Sequence, residues 1–313
     1  MSDDTQGDRQ GGTEEHKIPF RSGFVAIVGR PNTGKSTLLN FLANKKVAII
    51  SDKPQTTRNS IRAILNFENA QIILIDTPGL HKPKDALGGH LNQTTRNTLQ
   101  DVDAIIFMVD ASTMIGGGDL YIANELSTLA TPKILVLNKI DKLSPHDIEV
   151  QLEVARQLGD FDGIIPLSAA TGENVGTLTG KLLELLPEGQ QYYPLNMVTD
   201  QPERIVVAEL IREKVLELTR EEVPHSVAAE VQEMKPRKKS EIVDIFAIIF
   251  VERESQKGIL IGKGGRMLHD IGSKARAEIE QLLGSQVYLD LRVRVKKDWR
   301  KEERYIRQFG YIE

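Results

Sequence analysis

The 313-residue chain contains no cysteine, and aromatic residues make up only 5% of it, with a single tryptophan. Without cysteine there can be no disulfide and no thiolate metal site, which fits a reducing compartment such as the cytoplasm. The longest apolar runs, such as Ile245–Val251, are too short to span a membrane. The N-terminal residues are polar and lack the apolar stretch of a signal peptide, so we expect residues 1–20 to form a disordered tail.

The net charge of −4 is unevenly distributed. From Ser255 to Glu313 there are 13 Lys and Arg against 8 Asp and Glu, which leaves +5 there and −9 on the rest of the chain. A basic end hints at a polyanionic partner, although the signal is weak by itself. A basic cluster close to Trp299 and Tyr305 is explained equally well as the solvated face of a helix. It comprises Lys296, Lys297, Arg300, Lys301, Arg304 and Arg307.

Strand-like runs alternate with helix-like runs as far as residue 187. This alternation predicts an α/β domain with a mainly parallel sheet that is covered on both faces. The predicted strands are Phe24–Val28, Ala63–Asn66, Gln71–Ile75, Ala104–Asp110, Ile134–Asn138 and Ile164–Leu167. In such folds ligands bind at the carboxyl ends of the strands.

A second domain is predicted beyond an aperiodic stretch rich in Pro, Gln and Tyr. We interpret residues 188–203 as the linker between a first domain at 21–187 and a second at 204–313. The second domain begins with a helical pattern and continues through two strands, a glycine loop, an amphipathic helix and a third strand. The predicted elements with clear limits are the helix Glu203–Arg220 and the strands Val227–Met234, Glu241–Glu252 and Val287–Lys296.

The run from Gly29 to Ser36 fits the pattern G-x-x-x-x-G-K-[ST] and lies between a predicted strand and the predicted helix Lys35–Ala43. In this context glycines let backbone N–H groups approach phosphate oxygens, and the helix N-terminus adds positive potential. Lys35 is expected to reach the β- and γ-phosphates, and the Ser36 hydroxyl to bind Mg²⁺. The residues expected to surround the phosphates are Gly29, Asn32, Thr33, Gly34, Lys35, Ser36 and Thr37.

Asp76-Thr77-Pro78-Gly79 follows another predicted strand. The Asp76 carboxylate can hold Mg²⁺ through a water molecule, and the Gly79 N–H can contact a γ-phosphate. Because the γ-phosphate exists only in the triphosphate, the segment after Gly79 can order and then relax after hydrolysis. The next residue, Leu80, cannot orient an attacking water, so backbone, another side chain or a cation must do so.

Asn138-Lys139-Ile140-Asp141 follows a further strand and predicts the base that is bound. A carboxylate at Asp141 accepts hydrogen bonds from N1–H and the 2-amino group of guanine, and adenine offers neither donor. Asn138 is expected to brace the loop and face N7, while the Lys139 stem packs over the base. Ser168-Ala169 completes the set, with the Ala169 N–H donating to guanine O6.

Gly262-Lys263-Gly264-Gly265 contains a G-x-x-G pattern between an apolar segment and an amphipathic helix, a turn that clamps single-stranded RNA backbone in KH domains. Lys263 and Arg266 are expected to meet phosphates, and bases to lie against Ile259, Leu260 and Ile261. His269 is expected to be structural. The residues expected to contact RNA are Ile261, Gly262, Lys263, Gly264, Gly265 and Arg266, with Lys274 and Arg276 at a basic rim.

The four motifs of the first domain resemble those of translation-factor-like GTPases over residues 21–187, and the element order of the second resembles a type II KH domain. With D-T-P-G-L-H-K-P at Asp76–Pro83 and Q-T-T-R at Gln55–Arg58, the whole of 21–313 resembles the Era family of bacterial GTPases. The resemblance implies a P-loop GTPase domain with a mainly parallel sheet, followed by an α+β KH domain. It implies GTP and GDP as ligands, Mg²⁺, and slow hydrolysis that RNA or the ribosome accelerates.

The resemblance also implies partners. They are single-stranded RNA at the 3′ end of small-subunit ribosomal RNA, the assembling small ribosomal subunit, and a peripheral membrane contact by a cytoplasmic protein. No DNA partner is expected. A lipid-anchored signalling GTPase is disfavoured, because there is no cysteine to prenylate and the chain begins with Met-Ser.

The resemblance further assigns a switch threonine that binds Mg²⁺ and the γ-phosphate. We favour Thr57, with Thr56 as the alternative, so that the expected Mg²⁺ ligands are Ser36, Thr57 and Asp76. Some relatives hold a potassium ion with the asparagine of the phosphate loop, here Asn32. The residues expected to act in hydrolysis are Lys35, Thr57, Gly79 and Asn32.

Two functions stay open from the sequence. One is a GTP-hydrolysing switch that acts on RNA. The other is an RNA-binding module whose guanine nucleotide is structural and turns over negligibly, which Leu80 keeps open because leucine cannot position water.

Overall fold

A computed structural model of the chain describes residues 19–53, 56–80, 85–237 and 240–311. The predicted tail at 1–20 lies outside these residues apart from its last two positions. In the described ranges no helix is long and apolar enough to cross a membrane. The helices and strands of the first domain are β1 Arg21–Gly29, α1 Lys35–Ala43, β2 Ile61–Phe67, β3 Ala70–Asp76, α2 Ala86–Gln100, β4 Ala104–Asp110, α3 Gly117–Leu126, β5 Lys133–Asn138, α4 Pro145–Arg156, β6 Gly163–Leu167 and α5 Val175–Leu185.

The strands form one six-stranded sheet in the order β2-β3-β1-β4-β5-β6. Only β2 pairs antiparallel, with β3; the other pairings are parallel. Alternate residues of β1 enter two separate cores: Val25 and Ile27 pack on one face of the sheet, and Ala26 and Val28 on the other. Burial on both faces explains why these strands read as continuous apolar runs. The predicted mainly parallel sheet is confirmed.

The stretch interpreted as a linker runs along the antiparallel edge of this sheet. The Ile64 N–H donates to the Val198 carbonyl at 2.8 Å, and the Gln71 side chain hydrogen-bonds the backbone at Tyr192 and Tyr193. The Tyr192 ring packs on Phe24 with the ring centres 5.1 Å apart. These bonds satisfy backbone groups at the sheet edge and hold this stretch against the first domain.

Apart from a four-residue helix before its first strand and the short elements after its last strand, the second domain has the predicted order helix, strand, strand, helix, helix, strand. Its sheet order is β7-β8-β9, antiparallel between β7 and β8 and parallel between β8 and β9. A short extension follows β9, with a 3-10 turn at Trp299–Lys301. The elements are α6 Glu203–Leu218, α7 Val223–Ser226, β7 Ala228–Pro236, β8 Ile242–Val251, α8 Glu254–Ile261, α9 Arg266–Leu283, β9 Gln286–Val295 and α10 Glu303–Gln308.

The two domains share an apolar interface. Leu87 and Leu91 of α2 pack with aromatic residues of the C-terminal extension, among them Trp299 and Phe309. On another side Ile49, which follows α1, joins the core of the second domain. Ile49 follows the helix that the phosphate loop leads into, and α2 follows Asp76–Gly79 in the sequence, so the second domain contacts regions next to two of the motifs.

Candidate nucleotide and RNA sites

The predicted phosphate loop connects β1 to α1 as the sequence requires. Gly34 has φ +100°, a conformation that L side chains rarely adopt. A Cβ at Gly34 would overlap the Asn138 side-chain amide, so this position has neither the conformation nor the space for a larger residue. Helix α1 begins at Lys35 with no acidic residue in its first turn, which leaves its N-terminal potential available to an anion.

Three predicted Mg²⁺ ligands converge in the structure. The Ser36 hydroxyl donates to Asp76 Oδ2 at 2.6 Å, and the Thr57 hydroxyl donates to the same oxygen at 3.0 Å. The two hydroxyl oxygens are 3.0 Å apart. The other oxygen, Asp76 Oδ1, is buried without a hydrogen-bond partner. This set of hard oxygen donors with unused capacity fits Mg²⁺.

The candidate Mg²⁺ site contains one carboxylate, that of Asp76, and the hydroxyls of Ser36 and Thr57. Among the residues that the structure describes, no group of three or more His, Asp or Glu side chains could hold a metal. A site with one carboxylate and two hydroxyls suits Mg²⁺ that keeps water and takes further oxygens from phosphates.

Lys35 and Asp76 are both buried, at 6% and 0% exposure. Burial lowers the pKa of Lys35, and the negative charge of Asp76 opposes the shift. Burial raises the pKa of Asp76, against the effects of Lys35 and the two hydroxyls. The Lys35 ammonium donates to the Arg30 carbonyl at 3.0 Å. A triphosphate would supply the negative charge that this buried cation lacks.

Gly79 lies directly against the phosphate loop. A Cβ built at Gly79 would lie 2.9 Å from the Pro31 nitrogen, which explains the glycine in D-T-P-G as a close approach of two loops. Its neighbour Leu80 is 2% exposed and packs in the core on the α2 and α3 side of the sheet. Its side chain therefore packs in the core and does not line the cleft beside the phosphate loop.

The guanine motif braces the phosphate loop as expected. The Asn138 amide donates to the Thr33 carbonyl at 2.7 Å, and its oxygen accepts from the Ala169 N–H at 2.9 Å. The Ala169 N–H expected at guanine O6 is thus engaged by Asn138 in this structure. The Ser168 hydroxyl donates to Asp141 at 2.6 Å, which orients an otherwise exposed carboxylate.

Lys139 adds a contact that sequence reasoning missed. Its ammonium pairs with Asp110 at 2.5 Å and donates to the Asn32 carbonyl at 2.7 Å. Asp110 ends β4, so the position of a carboxylate at a strand end was the available signal. The Asn32 amide donates to the Asp52 carbonyl at 2.5 Å, which brings two oxygen-bearing groups together beside the loop.

A cleft opens beside the phosphate loop, and of the residues of Asn138–Asp141 and Ser168-Ala169 only Lys139 lines it. Its lining includes Lys35, Ser36, Thr37, Thr57 and Gly79, together with Ile50–Lys53 from the segment after α1. The segment after α1 was missed by sequence reasoning, since nothing in its composition marks it. Gln55 and His81–Pro83, which helped to identify the motifs, lie outside the described residues.

The G-x-x-G turn is built from glycines in left-handed conformations. Gly262, Gly264 and Gly265 have φ of +70°, +63° and +80°. Lys263 and Arg266 are exposed on either side of the turn. A groove opens beside it between α9 and β9, and it is lined by Gly265, Leu268, His269, Gly272, Ser273, Arg276, Tyr288, Leu289 and Leu291.

Some expectations for this groove need correction. Leu260 is fully buried in the core of the second domain, because α8 turns this residue inward, so it cannot contact a base. His269 was expected to be structural, but its side chain is 79% exposed at the groove. Lys274 pairs with Glu217 of α6 instead of reaching over the turn. Tyr288 is 58% exposed and was missed, although its alternation with buried Val287 was a usable signal.

Most cations of the basic cluster already have acidic partners. Arg300 pairs with Glu252 at 2.8 Å and with Asp85, the residue before α2, at 3.3 Å. Lys301 and Arg304 pair with acidic neighbours in their own segment. Trp299 is completely buried. Only Arg304 and Arg307 of this cluster lie on an α-helix, α10, so it is not the solvated face of one helix, and its acidic partners argue against a polyanion site.

Comparisons with known proteins agree with this architecture. The family model described as a 50S ribosome-binding GTPase matches residues 24–139, and a KH domain model matches residues 222–300. GTPase Era of Alkaliphilus oremlandii is 52% identical over 294 residues, which covers 94% of this chain and 100% of the relative. GTPase Era of Carboxydothermus hydrogenoformans is 52% identical over 303 residues, covering 95% and 99%. The chain belongs to the Era family of GTPases.

Solved structures of the family share the full two-domain fold. A variant of Era from Aquifex aeolicus, bound to GDP and aluminium fluoride, matches with a TM-score of 0.91 and 42% identity. An Era complex with MgGDPNP and nucleotides 1506–1542 of 16S ribosomal RNA matches with a TM-score of 0.92 and 42% identity. Each match covers 94% of this chain and 100% of the solved chain. The predicted fold, a P-loop GTPase domain followed by a KH domain, is confirmed.

Proposed function

We propose that this GTPase binds GTP with Mg²⁺, hydrolyses it to GDP and phosphate, and binds single-stranded RNA at the groove beside its G-x-x-G turn. One observation carries the nucleotide part: Ser36, Thr57 and Asp76 meet at one point next to the buried Lys35. These residues come from three separate motifs, and a shared oxygen-ligated cation beside a triphosphate accounts for all of them.

The residue roles follow from position. Lys35 and the backbone of Gly29–Ser36 hold the phosphates, Ser36, Thr57 and Asp76 hold Mg²⁺, and Asp141 reads guanine. Bound Mg²⁺ would neutralise charge on the phosphates. The Gly79 N–H, next to the phosphate loop, would contact the γ-phosphate. Asn138 keeps the phosphate loop and the Ser168-Ala169 loop together, so the base and the phosphates are held at a fixed distance.

Slow intrinsic hydrolysis is consistent with the position of Leu80, and we propose that RNA or the ribosome accelerates it. The inward leucine leaves no side chain at that position to orient water. We propose that a potassium ion near Asn32 contributes, since the Asn32 side chain and the Asp52 carbonyl lie together there. Turnover should be faster in potassium than in sodium at equal ionic strength. Equal rates would remove potassium from the mechanism.

The deciding experiment measures phosphate release with and without an RNA oligonucleotide, with Lys35→Ala as the blank. We expect turnover above the blank and further stimulation by RNA that fits the groove. A rate that never exceeds the blank would favour the alternative, an RNA-binding module with a structural nucleotide. That alternative has one observation in its favour, the burial of Leu80.

For the RNA, we propose the 3′ end of small-subunit ribosomal RNA as target and assembly of the small subunit as the setting. The support is the 42% identical Era that was solved with such a fragment, together with the exposed Lys263, Arg266 and Tyr288 at the groove of this chain. Crosslinking of cellular RNA to the full chain tests it. Gly264→Asp should abolish the crosslinks and spare GTP binding, because it puts a carboxylate at the phosphate clamp.

The remaining proposals concern organisation and location. We propose a GTPase domain at 21–187, a linker at 188–203 and a KH domain at 204–313, in a cytoplasmic protein with a peripheral membrane contact. Limited proteolysis tests the domain limits. Co-sedimentation with anionic lipid vesicles tests the membrane contact, and protein that stays in the supernatant at low salt would exclude it.

A further inference from the structure

Arg58 is a cation of the GTPase domain that is enclosed by the KH domain. It is 1% exposed, and its guanidinium lies 5.4 Å from the Trp299 ring centre and 5.3 Å from that of Tyr311. Its Nη1 donates to the Val227 carbonyl at 2.6 Å and to the Tyr311 hydroxyl at 3.4 Å. In the part of the chain that the structure describes, a carbonyl, a phenol and two aromatic faces hold this cation.

The residue next to Arg58 in the sequence is the switch threonine. The Thr57 hydroxyl points to Ser36 and Asp76, while the Arg58 guanidinium points into the KH domain. The preceding residue is held from the same side, because Arg212 of α6 donates to the Thr56 carbonyl. In the segment Thr56–Arg58, the middle residue therefore contacts the nucleotide site, and the residues on either side of it contact the KH domain.

The enclosure around Arg58 is itself firmly built. The Trp299 indole N–H donates to the Ser226 carbonyl at 2.8 Å, one residue before the carbonyl that receives Arg58. Trp299 packs edge-on against Phe309 with the ring centres 5.2 Å apart. Tyr311 is 4% exposed. The Trp299 and Tyr311 ring centres are 6.0 Å apart, so the Arg58 guanidinium lies beside this aromatic pair. Arginine suits this place because its planar head can contact aromatic faces and still donate several hydrogen bonds, whereas a lysine ammonium has no planar group.

We propose that Arg58 is a positioning residue through which the docked KH domain holds Thr57 in its triphosphate-binding arrangement. The inference rests on the proposed function, in which Thr57 binds Mg²⁺ and the γ-phosphate. Because GDP lacks the γ-phosphate, docking of the KH domain favours GTP over GDP. Loss of the Arg58 enclosure weakens GTP binding selectively, although Arg58 touches neither the nucleotide nor the metal.

The test compares the affinities of the full chain for GDP and for a non-hydrolysable GTP analogue, both with Mg²⁺. Arg58→Ala should weaken analogue binding about tenfold, the scale of a buried cation–π contact, and leave GDP binding within about twofold. Tyr311→Ala should do the same. The double variant should lose no more affinity for the analogue than either single variant, because the two substitutions remove the same contact between Arg58 and Tyr311. Arg62→Ala is the matched control: this arginine pairs with Asp200 on the exposed edge and should leave both affinities unchanged.

A second readout does not depend on nucleotide affinity. Trp299 is the only tryptophan, so its fluorescence reports the interface alone. Acrylamide should quench it poorly in the wild type with the analogue and well in Arg58→Ala. The inference would be overturned if Arg58→Ala weakened GDP and analogue binding equally, or left the ratio of the two affinities unchanged. Additive losses of analogue affinity in the double variant would also overturn it. If the wild type itself binds neither nucleotide, the proposed function fails first, before any variant is compared.

Discussion

The chain holds two glycine turns suited to anions, one in each domain, and they are built in opposite ways. At the phosphate loop, Gly34 packs against the Asn138 side chain and Gly79 packs against Pro31. Lys35 is buried. At the G-x-x-G turn, Gly262 packs against Met267, but a Cβ at Gly264 or Gly265, at the tip of the turn, would meet nothing within 4 Å. The phosphate loop is packed against neighbouring residues, and the tip of the G-x-x-G turn lies open on the surface.

This difference matches what each turn is proposed to bind. A compact triphosphate in a fixed pose needs donors held from all sides, and enclosure strengthens each charge interaction. An extended RNA strand must pass along the turn without its ends being enclosed, so exposed donors and a shallow groove suit it. The same residue, glycine, serves tight packing in one domain and access in the other.

The largest expected contrast comes from the two lysines. Lys35→Ala should cost about 3 kcal/mol of GTP affinity, because a buried charged donor disappears from an enclosed site. Lys263→Ala should weaken RNA binding only roughly threefold, since its contact is screened by solvent. Titrations with a fluorescent GTP analogue and with labelled RNA measure both. Similar losses in the two would contradict the contrast between a closed and an open turn.

The two glycines give the next contrast. Gly34→Ala should destabilise the chain by about 3 kcal/mol, through a left-handed conformation and an overlap with Asn138. Gly264→Ala should destabilise the chain by only about 1 kcal/mol, because it has the left-handed conformation but no overlap with other atoms. Urea unfolding of the nucleotide-free protein measures the difference. Finding the second variant as unstable as the first would mean that the G-x-x-G turn is packed in solution.

We expect the nucleotide site to discriminate strictly between bases, and the RNA groove not to do so. Asp141→Asn should cost about 2 kcal/mol of GTP affinity, because an amide donor then faces the 2-amino group of guanine. Xanthosine triphosphate, with a carbonyl at that position, should gain affinity. Competition between the two nucleotides on wild type and variant decides the point, and an unchanged preference for guanine would remove Asp141 from base reading.

The smallest expected effect concerns salt. RNA affinity should fall with a slope of about −0.7 in log affinity against log salt for each phosphate neutralised, whereas nucleotide affinity should change less in its enclosed site. Lys263→Ala should make the salt dependence of RNA affinity shallower by about 0.7, the value for one phosphate contact, and leave the salt dependence of nucleotide affinity unchanged. Equal slopes for the two ligands in the wild type would show that both sites are equally exposed.

Much of the fold was predictable, because the first sheet is buried on both faces and its strands read as apolar runs. The phosphate loop and helix α1 were predicted to the residue, since glycine conformation and a helix start leave local signals. Leu260 was placed wrongly because an apolar run of three residues does not say which one a short helix turns inward. Lys274 and Glu217 lie on different helices, so no local pattern could predict their pairing.

The sequence alone determined the order of the two domains, the guanine-nucleotide motifs at strand ends, and the two glycine turns, because each depends on neighbouring residues. Tertiary structure alone decided that Arg58 would be enclosed by Trp299 and Tyr311, and that Leu80 would face the core. For Arg58 the physical reason is distance along the chain, because contacts across more than 200 residues come from the packing of whole domains. For Leu80 the reason is the packing of the segment after β3 within the first domain, which depends on contacts with other helices and strands. Local propensity and periodicity carry no record of them.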